Sequence, residues 1–302
     1  MTSFKEENIL TVAFLNIRGQ SGLPISKQLQ IETFIKYNNC DIIHLQEAHM
    51  DDETFSTCNF ISSTFNIVSN NSLNKYGTAS LVKSELEIEN IRCDTEGRVI
   101  VFDLGELTLS NIYLNSGTDA RSRAGREKIC SEILPNMLLN CKESGLCGGD
   151  FNCIIKKTDA TKNPESKMSR CLERLVKLNE WQDSFCTLYP TAEKYSRYYV
   201  NTRAEGASRI DRCYHFGRIK VKEAKYLPLA FSDHFAHVVQ FILPGQLSKI
   251  LFPKSQSSFK VRAEVLKDSV FKYRLDESMK CWQRVRQFQN ENSRELGTLY
   301  WW

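Results

Sequence analysis

Strand-length apolar runs that stop on a polar side chain recur along this chain, and they restrict it to folds built on buried sheets. Ile9-Leu10-Thr11-Val12-Ala13-Phe14-Leu15 is almost continuously apolar, as a strand covered on both faces must be, and it ends at Asn16 with Gly19 close behind. Asp41-Ile42-Ile43-His44-Leu45-Gln46 repeats the pattern and delivers Glu47. Between them, Ile31, Phe34 and Ile35 recur at i, i+3 and i+4, which predicts a helix between Lys27 and Asn38 packing one stripe, so the chain opens as a βαβ-like unit. From Asn66 to Tyr113 the helical period disappears. Short runs at 66–69, 77–82, 98–104 and 107–113 alternate with turn chemistry at Asn70-Asn71 and Leu104-Gly105-Glu106, the pattern of a meander within a sandwich.

The stretch Leu146-Cys147-Gly148-Gly149-Asp150-Phe151-Asn152 reads as another short strand, ending in two glycines and a carboxylate. Glycines let backbone come close to a ligand, and residues i and i+2 of an extended segment share a side, so Asp150 and Asn152 can face one reacting atom. Taken alone, Gly-Asp-Phe-Asn serves equally as a β-turn. Around it, Ile129, Ile133 and Met137 on one side, and Met168, Leu172, Leu175 and Val176 on the other, predict amphipathic helices. Tyr195–Val200 and Arg209–Phe216 then read as a hairpin with a polar tip at 201–206, and Phe235–Leu243 is the last strand.

With 302 residues, 41% hydrophobic and 25% charged, the chain can bury a full core as one large domain or two small ones. No apolar run approaches the roughly 18 residues of a membrane span, and Met1–Glu7 lacks a signal-peptide core, so neither a membrane nor secretion is expected. The 11 cysteines form no Cys-x-x-Cys pair and are expected to be reduced thiols of a cytosolic or nuclear protein. Nine Lys and Arg between Lys194 and Lys225 stand against only Glu205, Asp211 and Glu223. Such a basic stripe suits a polyanion or a solvated face. Residues 243–302 carry 11 Lys/Arg against 6 Asp/Glu, and Ser255-Gln256-Ser257-Ser258 is linker-like. Two domains are therefore expected, 1–243 and 244–302. In the second, Phe271, Leu275, Met279, Trp282 and Val285 keep a helical period.

The polar residues at strand ends are Asn16, Glu47, Tyr113, Asp150, Asn152, Asp211, Asp233 and His234. Together they are the parts of a metal-assisted phosphodiesterase. That reaction needs a hard cation on oxygen ligands, a carboxylate that orients or deprotonates the attacking water, and donors for the phosphate oxygens. Glu47 and Asp233 suit the first need, Asp150 with Asn152 the second, and His234, Asn16 and Tyr113 the third. Tyr113 is by itself also an ordinary core tyrosine, and Asp211 an ordinary partner for Arg209 or Arg212. His44, His49, His215 and His237 match no motif and are expected to be structural or exposed.

Six motifs occur in a recognisable order: Leu15-Asn16-Ile17-Arg18-Gly19, Leu45-Gln46-Glu47, Asn111-Ile112-Tyr113, Gly149-Asp150-Phe151-Asn152, Ser208-Arg209-Ile210-Asp211 and Ser232-Asp233-His234. In that order they resemble the exonuclease-endonuclease-phosphatase superfamily, and more narrowly the apurinic-type endonuclease domain of LINE (non-LTR) retrotransposon polyproteins, over about residues 8–243. The resemblance implies a four-layer α/β/β/α sandwich of the DNase I-like α/β class, with a C-terminal helical linker leading to an absent reverse transcriptase domain. It implies a Mg²⁺-dependent endonuclease, with Mn²⁺ as a possible substitute, that nicks one strand of double-stranded DNA in the nucleus after synthesis in the cytoplasm. The 3′-hydroxyl so produced would prime reverse transcription. Glu47 would bind the metal with Asp233 steadying its shell, Asp150 and Asn152 would activate water, and Asn16, Tyr113 and His234 would hold the phosphate. Asp211 would orient His234. Arg121, Arg123, Arg197, Asn201, Thr202 and Arg203 are expected to contact DNA, with the 201–206 tip helping to choose the target. Two departures stand out. Arg18 occupies a place where repair apurinic endonucleases carry an acid, and Asp159 is followed by Ala160 where many retrotransposon members carry Arg. The alternatives are a repair endonuclease or other phosphodiesterase of the same fold, and an inactive nucleic-acid-binding module.

Overall fold

Two six-stranded sheets lie face to face in the computed structural model of this chain, which describes residues 9–19, 24–49, 59–70, 77–201, 204–245 and 251. The first sheet contains β1 (Ile9–Asn16), β2 (Ile42–Gln46), β3 (Phe65–Asn70), β4 (Thr78–Lys83), β13 (Lys220–Pro228) and β14 (Phe235–Ile242), in the order β13-β14-β1-β2-β4-β3. The second contains β5 (Glu89–Cys93), β6 (Val99–Leu104), β7 (Leu107–Tyr113), β8 (Ser144–Asp150), β9 (Gln182–Asp183) and β12 (Asp211–Phe216), in the order β5-β6-β7-β8-β12-β9. A separate ribbon pairs β10 (Arg197–Asn201) with β11 (Ala204–Ser208).

Period-two alternation divides each central strand between two cores. Leu10, Val12 and Phe14 of β1 join Leu107 and Leu109 of β7 and Leu146 of β8 between the sheets. Ala13 and Leu15 face the other way, onto Ile31 and Ile35 of the helix Ile25–Asn38. On the far side, Val99, Val101 and Ile112 pack against Ile129 and Leu134, and against Leu172 and Leu175 of the helix Arg170–Leu178. The layers are therefore helix, sheet, sheet, helix, as expected for a DNase I-like α/β sandwich. β1 and β2 are parallel, so the opening unit is a true βαβ crossover.

Three expectations need correction. The predicted hairpin of Tyr195–Val200 with Arg209–Phe216 does not form: β10 pairs with β11, whereas β12 leaves the ribbon and inserts between β8 and β9. Residues 204–206 are consequently strand rather than turn. Second, β5 and β13 escaped the periodicity reading because each is an edge strand with many polar residues; Lys220, Lys222 and Lys225 of β13 are the charges that blunt a sheet edge. Third, Gly148 and Gly149 make room for protein rather than ligand. A Cβ on Gly148 would meet the Phe14 ring at 2.4 Å, and one on Gly149, where φ is +137°, would meet the Ile112 carbonyl oxygen at 2.0 Å.

Among the described residues no helix is long and apolar enough to cross a membrane, and nine cysteines are free thiols. By its contacts the chain divides into Met1–Pro253 and Lys254–Trp302. Thr202, Arg203 and the helical period at 271–285 lie outside the described residues.

Candidate active site

The same alternation that builds the inter-sheet core carries polar residues to one end of it. Along β1 the inward series Leu10, Val12, Phe14 continues to Asn16; along β7 the series Leu107, Leu109 continues to Asn111 and Tyr113; along β8, Leu146 and Gly148 lead to Asp150. Register brings two of these ends into one row with the start of β12, since Tyr113 pairs with Asp150 across β7 and β8, and Asp211 with Asp150 across β12 and β8.

Asp150 is the centre of the cluster and is 1% exposed. Its Oδ2 accepts from Asn16 Nδ2 at 2.9 Å and Asn152 Nδ2 at 3.2 Å, and its Oδ1 from the Asn152 backbone N–H at 2.8 Å. Burial first, and then the like charge of Asp211, push its carboxyl up to about 7 against the pull of His234 and Asn16. A carboxylate poised there exchanges a proton near neutrality, the property required of a general base.

Asn16 extends the network. Its Nδ2 also donates to Glu47 Oε1 at 3.1 Å, and its Oδ1 accepts from the Arg18 backbone N–H at 3.0 Å. Tyr113 donates its hydroxyl to the same Glu47 oxygen at 3.0 Å. Burial first, then Glu47, hold that phenol protonated far above its ordinary range. The Arg98 guanidinium, itself buried, lies 5.3 Å from the Tyr113 ring centre and donates to its carbonyl at 3.3 Å. Tyr113 is thus a polar, anchored tyrosine rather than core filler.

His234 faces Asp211, its Nδ1 lying 2.9 Å from Asp211 Oδ2 and 4.0 Å from Asp150 Oδ2. Burial alone would depress its charge, but Asp211 and then Asp150 outweigh that and raise the imidazole to about 9. The ring is therefore an imidazolium at neutral pH, with Nε2 left for a phosphate oxygen. Asp211 is held in turn by Ser196, whose Oγ donates to Asp211 Oδ2 at 2.6 Å and accepts from the Asp211 backbone N–H at 2.9 Å. Ser232 accepts from the His234 backbone N–H at 3.1 Å and donates to the Asn16 carbonyl at 2.7 Å, tying the last motif to the first. Ser232 stands in the sixth motif, whereas no local pattern foreshadows Ser196. Asn111 could have been found, because it follows Leu107 and Leu109 at period two. It clamps the sheets together by accepting from Gln46 Nε2 at 2.7 Å and donating to the Leu45 and Ala79 carbonyls.

Asp233, expected to steady the metal shell, pairs with arginine: its carboxylate lies 2.9 Å from Arg197 Nε and 3.8 Å from Arg18. Arg18 thereby accounts for the missing acid: the place is taken by a partner of Asp233. Glu47 does suit a hard divalent ion. It is half-buried, both donors it receives fall on Oε1, and no hydrogen bond from the described residues reaches Oε2. One carboxylate oxygen shared with substrate phosphate and waters is ordinary Mg²⁺ chemistry. Asp150, Asp211 and His234 also gather three ligand atoms within 4.8 Å, but His234 Nδ1 is already engaged with Asp211.

The basic stripe is not one surface. Arg209 and Arg212 are buried, 5% and 1% exposed, and bind Asp159 at 2.9 Å each, with Arg209 also 2.6 Å from Asp183. Asp211 pairs with neither. Arg121 and Arg123 stand exposed on the helix Ala120–Lys128, while Arg126 of that helix is buried on the Asn115 and Gly117 carbonyls. Of the ribbon residues, Arg197 reaches the site, and Asn201 is described by its backbone alone, pairing with Ala204. The four remaining histidines do not belong to the cluster. His44 bonds Ser80 at 2.8 Å and His215 bonds Ser184 at 3.0 Å, His237 stacks on Tyr226, and burial lowers His44 to about 3 and His237 to about 4.

Known structures share this backbone. An AP endonuclease from Archaeoglobus fulgidus superposes with a TM-score of 0.62 at 18% identity, over 76% of this chain and 98% of that one. A 3′ phosphatase from Neisseria bound to a product DNA hairpin gives 0.62 at 16% identity, over 76% and 98%. AP endonuclease from Leishmania major gives 0.65 at 19%, over 80% and 90%. At such identities the likeness establishes the fold, a DNase I-like α/β sandwich. No family model matches the chain, and no curated protein matches it.

Proposed function

We propose that this chain is a metal-assisted phosphodiesterase that nicks one strand of duplex DNA. The observation that carries the reading is the convergence on Asp150 of a charged Asp211–His234 pair from one side and an Asn16–Glu47–Tyr113 network from the other. Asp150 takes a proton from water that Asn152 helps to orient. His234, held charged by Asp211, donates from Nε2 to a phosphate oxygen, and Asn16 and Tyr113 border the same space. Glu47 would hold a divalent ion, which when bound would supply charge neutralisation on the phosphoryl oxygens. The neighbouring structures, two named AP endonucleases and one a 3′ phosphatase with a DNA product, support DNA as the substrate.

The finer reading rests on the six ordered motifs. In it the domain belongs to a LINE-type polyprotein, acts in the nucleus with Mg²⁺ or Mn²⁺, and leaves a 3′-hydroxyl that a following reverse transcriptase domain extends. Residues 1–243 form the nuclease and 244–302 the linker. The test is to map nicks on supercoiled plasmid and on an abasic duplex in Mg²⁺. Nicking of undamaged plasmid with extendable 3′ ends is expected. A strong preference for the abasic duplex would replace this reading with repair, and metal-independent binding without cleavage would replace it with an inactive module.

A further inference from the structure

Beside the catalytic cluster lies a cleft of about 330 Å³, lined by Thr118, Asn152, Lys167, Arg197, Tyr199 and Ser208 among others, with no carboxylate in its wall among the described residues. Both of its cationic walls are tied to the site. Lys167 is fixed through its carbonyl, which accepts from Ile154 N–H at 3.0 Å, two residues beyond Asn152. Arg197 bridges His234 across a backbone ladder, with the Tyr198 N–H on the Asp233 carbonyl at 3.2 Å and the Phe235 N–H on the Ser196 carbonyl at 2.6 Å.

The charges do not balance within the protein. Arg197 has Asp233 as its counter-ion, whereas Lys167 makes no ion pair among the described residues. Its ammonium sits 5.1 Å from the centre of the Tyr199 ring, which fixes its position over the cleft. Burial first, and then the like charge of Arg197, draw its pKa below the ordinary lysine value. Two cations facing an acid-free cleft favour an anion between them, and Asn152 in the same wall hydrogen-bonds the carboxylate proposed to activate water. Asn152 bonds Asp150 and Arg197 pairs with His234 across the ladder, so the cleft adjoins the site proposed to hold the scissile phosphate.

We propose that Lys167, with Arg197 in the same cleft, binds the backbone phosphate adjacent to the scissile one on the cleaved strand. The proposal rests on the endonuclease reading above and makes Lys167 a positioning residue, not a catalytic one.

The test measures binding of a mixed-sequence duplex to the full chain across a KCl series, for wild type, Lys167→Gln and Lys167→Arg. Lys167→Gln is expected to weaken binding roughly 5-fold and to lower the slope of log affinity against log salt by about one, and Lys167→Arg to restore both. A second arm places a neutral methylphosphonate beside the mapped nick. It should weaken wild-type binding and leave Lys167→Gln unaffected. Unchanged affinity and slope in Lys167→Gln, with wild-type nicking intact, would overturn the phosphate site and leave the endonuclease reading standing. A wild type that nicks nothing yet loses affinity and slope on Lys167→Gln would do the reverse. Equal penalties from the methylphosphonate in both proteins would also overturn the site.

Discussion

Asp150 and His234 are held in opposition. A buried carboxyl raised to about 7 and an imidazole raised to about 9 give a window in which the first is ionised and the second still protonated. kcat/KM for nicking is therefore expected to rise through pH ~7 and fall above pH ~9, and a profile flat across this range would refute the roles assigned. Stability moves the other way. Both folded-state values lie above the unfolded ones, so the stabilisation these groups provide is full below their unfolded pKa values and is lost as pH rises, between about 4 and 7 for Asp150 and about 6.5 and 9 for His234. Asp150→Asn removes the first of these losses. At pH 8 it is expected to cut nicking by ~10²–10⁴ while raising Tm by roughly 3–6 °C, and a lower Tm would show that the carboxylate is a stabilising element instead. Ser196 acts through Asp211. Ser196→Ala should shift the alkaline limb of the pH profile as well as the rate, which a purely structural serine would not do.

At the scale of elements, the loop after β8 and the strand β12 are joined by charge. Arg209 and Arg212 enclose Asp159 and Asp183, and Arg212 also donates to the Cys153 carbonyl at 2.9 Å. Removing one member leaves buried charge uncompensated. Arg212→Met is accordingly expected to cost about 3–5 kcal/mol in urea unfolding, far more than the surface pairs such as Lys157–Glu165. The β10–β11 ribbon behaves differently, because its base is tied to the site while Tyr198 and Val200 are exposed. Replacing residues 200–205 with a short glycine turn keeps Arg197 and Ser208, and should redistribute nick positions on a plasmid without abolishing nicking. Unchanged positions would remove the ribbon from target choice.

For the whole molecule, catalysis and folding use different resources. The core lies in two facing sheets and their helices, whereas among the described residues the cation site offers one available carboxylate, Glu47. Chelation with EDTA is expected to abolish nicking yet shift Tm by less than ~1 °C. A large drop would mean that metal holds the fold together. Much of this architecture was legible in sequence. Apolar runs of strand length, broken by turns, specify buried sheets, and period two carries the inward face of β1, β7 and β8 onto Asn16, Tyr113 and Asp150. The edge strands β5 and β13 were hidden because an edge is polar without cost to the core. The partners of charged residues were hidden for another reason. Asp233, Arg18 and Arg197 lie far apart in the chain, and Asp159 and Asp183 lie far from Arg209 and Arg212; which charges meet depends on how strands are ordered across a sheet. By itself, then, the sequence determined that polar side chains would gather where inward-facing strand rows end, because alternation is a local property of the backbone. Tertiary structure alone decided that Asp233 faces arginine, that two arginines of the basic stripe are interior, and that Lys167 forms no ion pair among the described residues. Electrostatic pairing acts through space, over distances that chain order does not encode.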